Sequence, residues 1–326
     1  MSLSDIYYFC SSEQYQPENL IRYAVAAERA GFDGIMISEH FHPWVEDESA
    51  SGFAFTTLGA IAAKTKSIKL MTAVTAPLYR FHPAIVAQAA ATVDRISNGR
   101  MCLGVGTGEN INEAPLGFSI GDYSERQARL GEANEIIRRL LSGEKLSFNG
   151  KYYQTNSAKL YSPPIGRIPV YMSAGGPKSA MTAGRDYDGL IVSVKDPTQV
   201  MNNIVNPALD AAEDKDFKII SLRWSVFGKD EKEAMFALKS QRGLRAPSRD
   251  HAVDPLELQK EADKLSVNDI LSRYSWAKTV DDYYNIYAPL ISEMKSDIVG
   301  IQTTSIDQFM TIKLLGKELL PRLRKL

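Results

Sequence analysis

Glu39-His40-Phe41-His42-Pro43-Trp44 puts a carboxylate, two imidazoles and an indole into one short segment. The run just before it, Phe32 to Ser38, is apolar and reads as a buried strand. A second polar set, Gly106-Thr107-Gly108-Glu109-Asn110-Ile111-Asn112, follows another strand-like run at Arg100 to Val105. In a (β/α)₈ barrel the C-terminal ends of the strands hold the chemistry. Two strand ends that each supply acid–base groups therefore point to an active-site mouth. An imidazole that titrates near neutrality is the usual proton acceptor in such a place.

Each motif has a competing reading. The His40-x-His42 pair would suit a metal, but later strand ends offer Ser173 and Ser193 rather than further ligands. The remaining histidines are His82 and His251, so no metal site is expected. Simple loop packing of both histidines is the plainer alternative, and it fits His42, next to Pro43, better than His40. Trp44 is either core or a water-excluding wall with a free N–H. Gly104-Val105-Gly106-Thr107-Gly108-Glu109 fails the dinucleotide fingerprint, because Glu109 replaces the third glycine. Gly106 and Gly108 would let backbone approach a flat ligand, or would form only a tight turn capped by Asn110 or Asn112. Ser173-Ala174-Gly175-Gly176-Pro177 would offer free N–H groups to an anion, or be an ordinary turn before a helix. Lys195, Arg249 and Arg273 would balance a phosphate if they converge; solvated charge is the default otherwise.

These residues need a scaffold. Eight apolar runs alternate with helical patterns, which is the signal of a parallel sheet. The expected strands cover Asp5–Cys10, Asp33–Ser38, Lys69–Val74, Arg100–Val105, Ile168–Ser173, Gly189–Ser193, Lys218–Val226 and Asp297–Thr303. The expected helices are Pro17–Ala30, Thr56–Thr65, Ala84–Ile96, Ser124–Leu141, Pro177–Arg185, Thr198–Ala212, Val280–Met294 and Asp307–Leu323. The prediction is one α/β domain over 1–326, a (β/α)₈ TIM barrel. Long insertions at 40–53, 142–167 and 227–274 would shape its mouth. Phe148-Asn149-Gly150-Lys151-Tyr152-Tyr153 reads as a hairpin with an Asn-Gly turn.

Composition narrows the partners. Lys+Arg is 38 and Asp+Glu is 39, so a net charge of −1 gives no support for nucleic-acid binding. Cys10 and Cys102 sit in no metal or redox pattern, which suits a reducing, cytoplasmic setting. The N-terminal residues lack a signal-peptide pattern, and no apolar run is long enough for a membrane span.

Together the motifs resemble the luciferase-like barrel superfamily, and more narrowly the coenzyme F420-dependent glucose-6-phosphate (sugar-6-phosphate) dehydrogenases. The shared blocks are Ser12-Glu13-Gln14-Tyr15, Glu39 to Trp44, Pro83 to Gln88, Gly104 to Glu109, Asn112-Glu113, Ala174 to Pro177 and Leu320 to Leu323. The resemblance implies a deazaflavin in the barrel mouth, contacted by Glu39, Val74, Ala76, Thr107, Gly108, Asn112, Gly175 and Gly176. It also implies a non-proline cis peptide near Ala73–Val74. His40 would take the sugar C1-hydroxyl proton, Glu109 would protonate or stabilise the N1 side of the ring, and Trp44 would steady charge, with Glu13 nearby. Ser193, Lys195, Arg249 and Arg273 match the region that holds the sugar phosphate. Family members commonly form homodimers.

This chain departs from the family pattern in places. Glu39 stands where Asp is usual, Ala76 where Thr is usual, and Arg249 replaces Lys. Secondary-alcohol dehydrogenases of the same superfamily share the His, Trp and Glu set but not the cationic group, and are the nearest alternative. A flavin monooxygenase, a metal-dependent hydrolase and a non-catalytic binding barrel are more distant ones.

Overall fold

The computed structural model describes residues 4–213 and 215–326. Eight parallel strands close into a barrel: β1 (Asp5–Cys10), β2 (Gly34–Ile37), β3 (Lys69–Thr72), β4 (Met101–Val105), β7 (Val170–Ser173), β8 (Gly189–Ser193), β9 (Lys218–Phe227) and β11 (Ile298–Thr304). Pairing of β11 with both β9 and β1 completes the ring. All eight expected strands form, with ends shifted by a few residues.

The strands are apolar on both sides because both sides are covered. On β1, Ile6, Tyr8 and Cys10 face the helices, while Tyr7 and Phe9 fill the barrel interior. On β2, Ile35 and Ile37 point outward and Met36 inward. This alternation is the two-residue period of a strand. It aims the last residues of each strand at one mouth.

Two insertions differ from expectation. The hairpin forms from β5 (Leu146–Asn149) and β6 (Gln154–Ala158). Its loop is Gly150 to Tyr153, closed by the Gly150 N–H donating to the Tyr153 carbonyl at 3.0 Å. Asn149 is thus the last strand residue rather than half of a two-residue turn. Glu132 fixes the wider loop by accepting from the N–H groups of Lys151, Tyr152 and Tyr153.

The 227–274 insertion is a folded cap. It contains the short helices Glu231–Ala237, Lys239–Arg245, Pro255–Ala262 and Val267–Leu271, and is followed by β10 (Ser275–Ala277) on the far end of β9. Such helices are too short to be stable alone, so their pattern was weak in the sequence. Packing holds them: Leu238, Leu244, Leu258 and Ile270 form an apolar cluster with Trp44 and Ile111 of the barrel loops. Polar pins add to it. Asn110 Nδ2 donates to the His251 carbonyl at 2.7 Å, and His42 Nδ1 lies 3.0 Å from the Val253 carbonyl. No helix of the described residues is long and apolar enough to cross a membrane.

Candidate active site

The strand ends and the cap enclose a mouth cavity of about 330 Å³. Glu13, His40, Trp44 and Glu109 line it, as do Glu39, Val74, Ala76, Thr107, Gly108 and Asn112. Gly175 and Gly176 line an adjoining recess that shares Thr107 and Ser173 with the mouth. Ser193, Lys195, Arg249 and Arg273 line a second cavity of about 330 Å³ on the other side. Trp224 and Arg249 belong to both it and the mouth. The residues picked from sequence thus converge on three connected spaces.

The His40 ring is held by one backbone contact. Its Nδ1 lies 3.2 Å from the His42 carbonyl, which can only accept, so Nδ1 is the protonated nitrogen of the neutral ring. That leaves the lone pair on Nε2, which faces Glu109 Oε2 at 3.9 Å. The imidazole packs edge-on against Trp44 with ring centres 5.0 Å apart. His42 points to the cap instead, so the two histidines do not share a ligand. Among the described residues, no group of three metal-binding side chains exists. Asn112 anchors the His40 loop: its Oδ1 accepts from the Phe41 N–H at 2.9 Å. Asn112 and Asn110 therefore tie loops together; neither caps its helix.

An arginine that the sequence reading passed over organises the opposite wall. Arg80 Nη2 donates to Glu39 Oε2 at 2.6 Å, and its Nη1 to Glu113 Oε1 at 2.5 Å. Thr75 Oγ1 also donates to Glu39, at 3.0 Å. Burial pushes the Glu113 carboxyl above its ordinary range, against the pull of Arg80. Glu13, itself buried, accepts from the Ser38 hydroxyl.

The glycines act partly otherwise than expected. A Cβ on Gly106 would lie 2.7 Å from Val74 Cγ2 and 2.9 Å from Ser173 Oγ. Its bareness makes room for the protein's own wall. Gly108 has φ +77°, a left-handed conformation that favours glycine. The Ala73–Val74 peptide in this wall is cis, as the resemblance implies.

Three polar atoms of the mouth are buried without a hydrogen-bond partner: Trp44 Nε1, Arg249 Nε and Gln302 Oε1. Native proteins rarely leave such groups unmatched. Two unmatched donors and one unmatched acceptor on residues that line one cavity suit a flat, polar-edged ligand such as a deazaflavin.

The second cavity is cationic. Arg223, missed in the sequence, is its most firmly held cation. Its Nε donates to Ser275 Oγ at 2.7 Å and its Nη1 to the Val194 carbonyl at 2.9 Å. A lone arginine within the apolar run of β9 was the available signal. Arg273 is held below its ordinary pKa by burial first, then by Arg245 and Arg249. Cations that disfavour one another in this way leave an electrostatic need for an anion. Arg249 does not point wholly at this cavity: its Nη2 donates to Glu109 Oε1 at 2.7 Å. It is therefore shared between the cationic cavity and the mouth.

A family model described as luciferase-like monooxygenase matches residues 5–283, and the chain belongs to that family. It is similar, at 35% identity, to the F420-dependent glucose-6-phosphate dehydrogenase of Nakamurella multipartita, with 98% of this chain and 96% of that protein covered. The protein of the same name from Mycolicibacterium smegmatis is 34% identical, with 98% of each covered. A solved F420-dependent secondary alcohol dehydrogenase, in complex with an F420-acetone adduct, matches with TM-score 0.89 and 29% identity over 99% of each chain.

Proposed function

We propose that this protein is a coenzyme F420-dependent dehydrogenase that oxidises C1 of glucose 6-phosphate, or a related sugar 6-phosphate, to a 6-phosphogluconolactone. The observation that carries this reading is the junction of two cavities. An acid–base mouth meets a cation-lined pocket across Trp224 and Arg249. A phosphorylated sugar needs both at once.

Coenzyme F420, when bound, supplies the hydride acceptor. Glu39, Val74, Ala76, Thr107, Gly108 and Asn112 would hold its ring, and Gly175 and Gly176 its tail. His40 Nε2 receives the C1-hydroxyl proton as the C1 hydrogen departs as hydride. Glu109, beside it, is the second proton-handling group and would serve the N1 side of the bound ring. Trp44 excludes water and offers its unpartnered N–H. Arg273, Arg223 and Lys195, with Ser193, bind the phosphate and so place C1.

The test is loss of oxidised F420 absorbance with glucose 6-phosphate, beside FMN, glucose and isopropanol as controls. Bleaching only with the phosphorylated sugar supports the reading. Bleaching with isopropanol instead supports a secondary-alcohol dehydrogenase, which the solved relative and the engagement of Arg249 by Glu109 favour. The reading also includes a cytoplasmic homodimer. Phe53, just before the helix Ala54–Lys64, and Ile85 and Ile96 of the helix Pro83–Ser97 are exposed apolar side chains that support it.

A further inference from the structure

The geometry points to a coupling role for Arg249: a phosphate dianion in the cationic cavity draws this arginine off Glu109 and frees the carboxyl for proton transfer. This rests on the sugar-phosphate reading and deepens it.

Glu109 divides its oxygens. Oε1 is held by Arg249 Nη2 at 2.7 Å, while Oε2 stands 3.9 Å from His40 Nε2. Arg249 comes from the cap, not from the barrel, and its guanidinium lies over the Trp44 ring at 5.3 Å. Its other contacts are incomplete: Nη1 is 3.7 Å from Asp250 Oδ1, and Nε is buried without a partner. It therefore lines both cavities while saturated in neither.

Arg223 differs, since strand and carbonyl partners fix it. A dianion would find Arg223 fixed by its strand partners and would compete with Glu109 for Arg249. Its one strong partner, Glu109, is 40% exposed, and solvent-screened pairs of that kind are weak. The dianion and the carboxylate compete for one guanidinium. An uncharged sugar leaves the Arg249–Glu109 pair closed. Arg249 is thus a positioning residue that acts through Glu109, and it makes the phosphate a condition for turnover as well as a handle for binding.

The experiment separates affinity from activation. Unphosphorylated glucose is oxidised with coenzyme F420 in the presence of increasing inorganic phosphite. For the wild type, phosphite should raise kcat/KM for glucose by about tenfold or more, the scale of one charge-assisted hydrogen bond. Arg273→Ala should need more phosphite but reach the wild-type maximum. Arg249→Gln, in which no guanidinium holds Glu109, should oxidise glucose without phosphite at a kcat/KM near the activated wild-type value and gain little when phosphite is added, and Arg249→Lys should restore part of the phosphite dependence. An infrared difference spectrum of the coenzyme-free protein on adding inorganic phosphate should show a carboxylate band that is absent in Glu109→Gln and in Arg249→Gln. A phosphite-free rate in Arg249→Gln no higher than that of the wild type, or bound phosphate with no Glu109 band, would overturn the coupling while leaving the substrate reading intact. Absence of phosphate binding by calorimetry, with no oxidation of glucose 6-phosphate, would overturn both.

Discussion

Arg80 and Glu39 form a nearly dry ion pair at the wall of the mouth: Nη2 to Oε2 is 2.6 Å, with the side chains 4% and 2% exposed. The same guanidinium holds Glu113, so one cation answers two buried carboxyls. Removing one partner of a buried pair strands the others. Arg80→Met should cost about 3–5 kcal/mol of stability. Arg80→Lys should recover little, because an ammonium cannot span two carboxyls as a planar fork does. Urea unfolding of the three proteins measures this. A loss below ~1 kcal/mol, the range of surface pairs, would mean that solvent reaches the cluster.

Glu113 adds a pH signature. Burial lifts its carboxyl above the ordinary value of 4.5, while Arg80 pulls the other way. A raised pKa means that the folded state binds the proton more tightly than the unfolded chain does. The associated stability is full below about 4.5 and is lost as pH rises through the folded-state value. Glu113→Gln cannot ionise, so the difference in Tm, wild type minus variant, should fall as pH rises from 4.5. A difference that grows with pH would show that Arg80 outweighs burial.

The sequence made the barrel legible because its strands are covered on both faces and alternate with long helices. The same alternation placed His40, Trp44 and Glu109 at the mouth. What it hid was pairwise geometry. Arg80 sits in a loop whose residues, Tyr79-Arg80-Phe81, show no period, and only the fold reveals Glu39 and Glu113 on either side of it. Arg249 was expected among phosphate ligands because type and position suit that role; its contact with Glu109 depends on how the cap docks. The cap itself is built from short helices that gain stability only through packing against Trp44 and Ile111.

Trp44 separates stability from function. Its ring is 2% exposed and its Nε1 has no partner. Trp44→Phe deletes an unmatched donor but also leaves a cavity in the cluster that holds the cap, so Tm should fall modestly. Turnover should drop by about tenfold if the N–H steadies developing charge, the scale of one hydrogen bond. Steady-state kinetics beside a melting curve tests the pair of outcomes. Loss of Tm with unchanged kcat would assign Trp44 to packing alone.

A variant at Arg273 would discriminate between the proposed substrate classes. Its charge lies in the second cavity, away from His40. Arg273→Ala should raise KM for glucose 6-phosphate by about tenfold to a hundredfold, as for loss of a charged hydrogen bond, with kcat changed much less. Unphosphorylated alcohols should be unaffected. Equal effects on isopropanol and on the sugar phosphate would remove the phosphate role from this cavity.

His40 is the most direct test of the chemistry. The His42 carbonyl fixes its tautomer, so its Nε2 lone pair is available to a hydroxyl proton. His40→Gln keeps a polar side chain of similar reach but cannot accept a proton near neutrality. Loss of a positioned general base lowers rates by about 10²–10⁴. We expect kcat to fall on that scale while coenzyme F420, followed by its fluorescence, binds with near wild-type affinity. The ring is also packed on Trp44, so a melting curve must accompany the kinetics. A residual rate that rises steeply with pH would show hydroxide or buffer replacing the imidazole. A flat profile with full activity would place proton acceptance elsewhere, with Glu13 and Glu109 the remaining carboxyls on that side of the mouth.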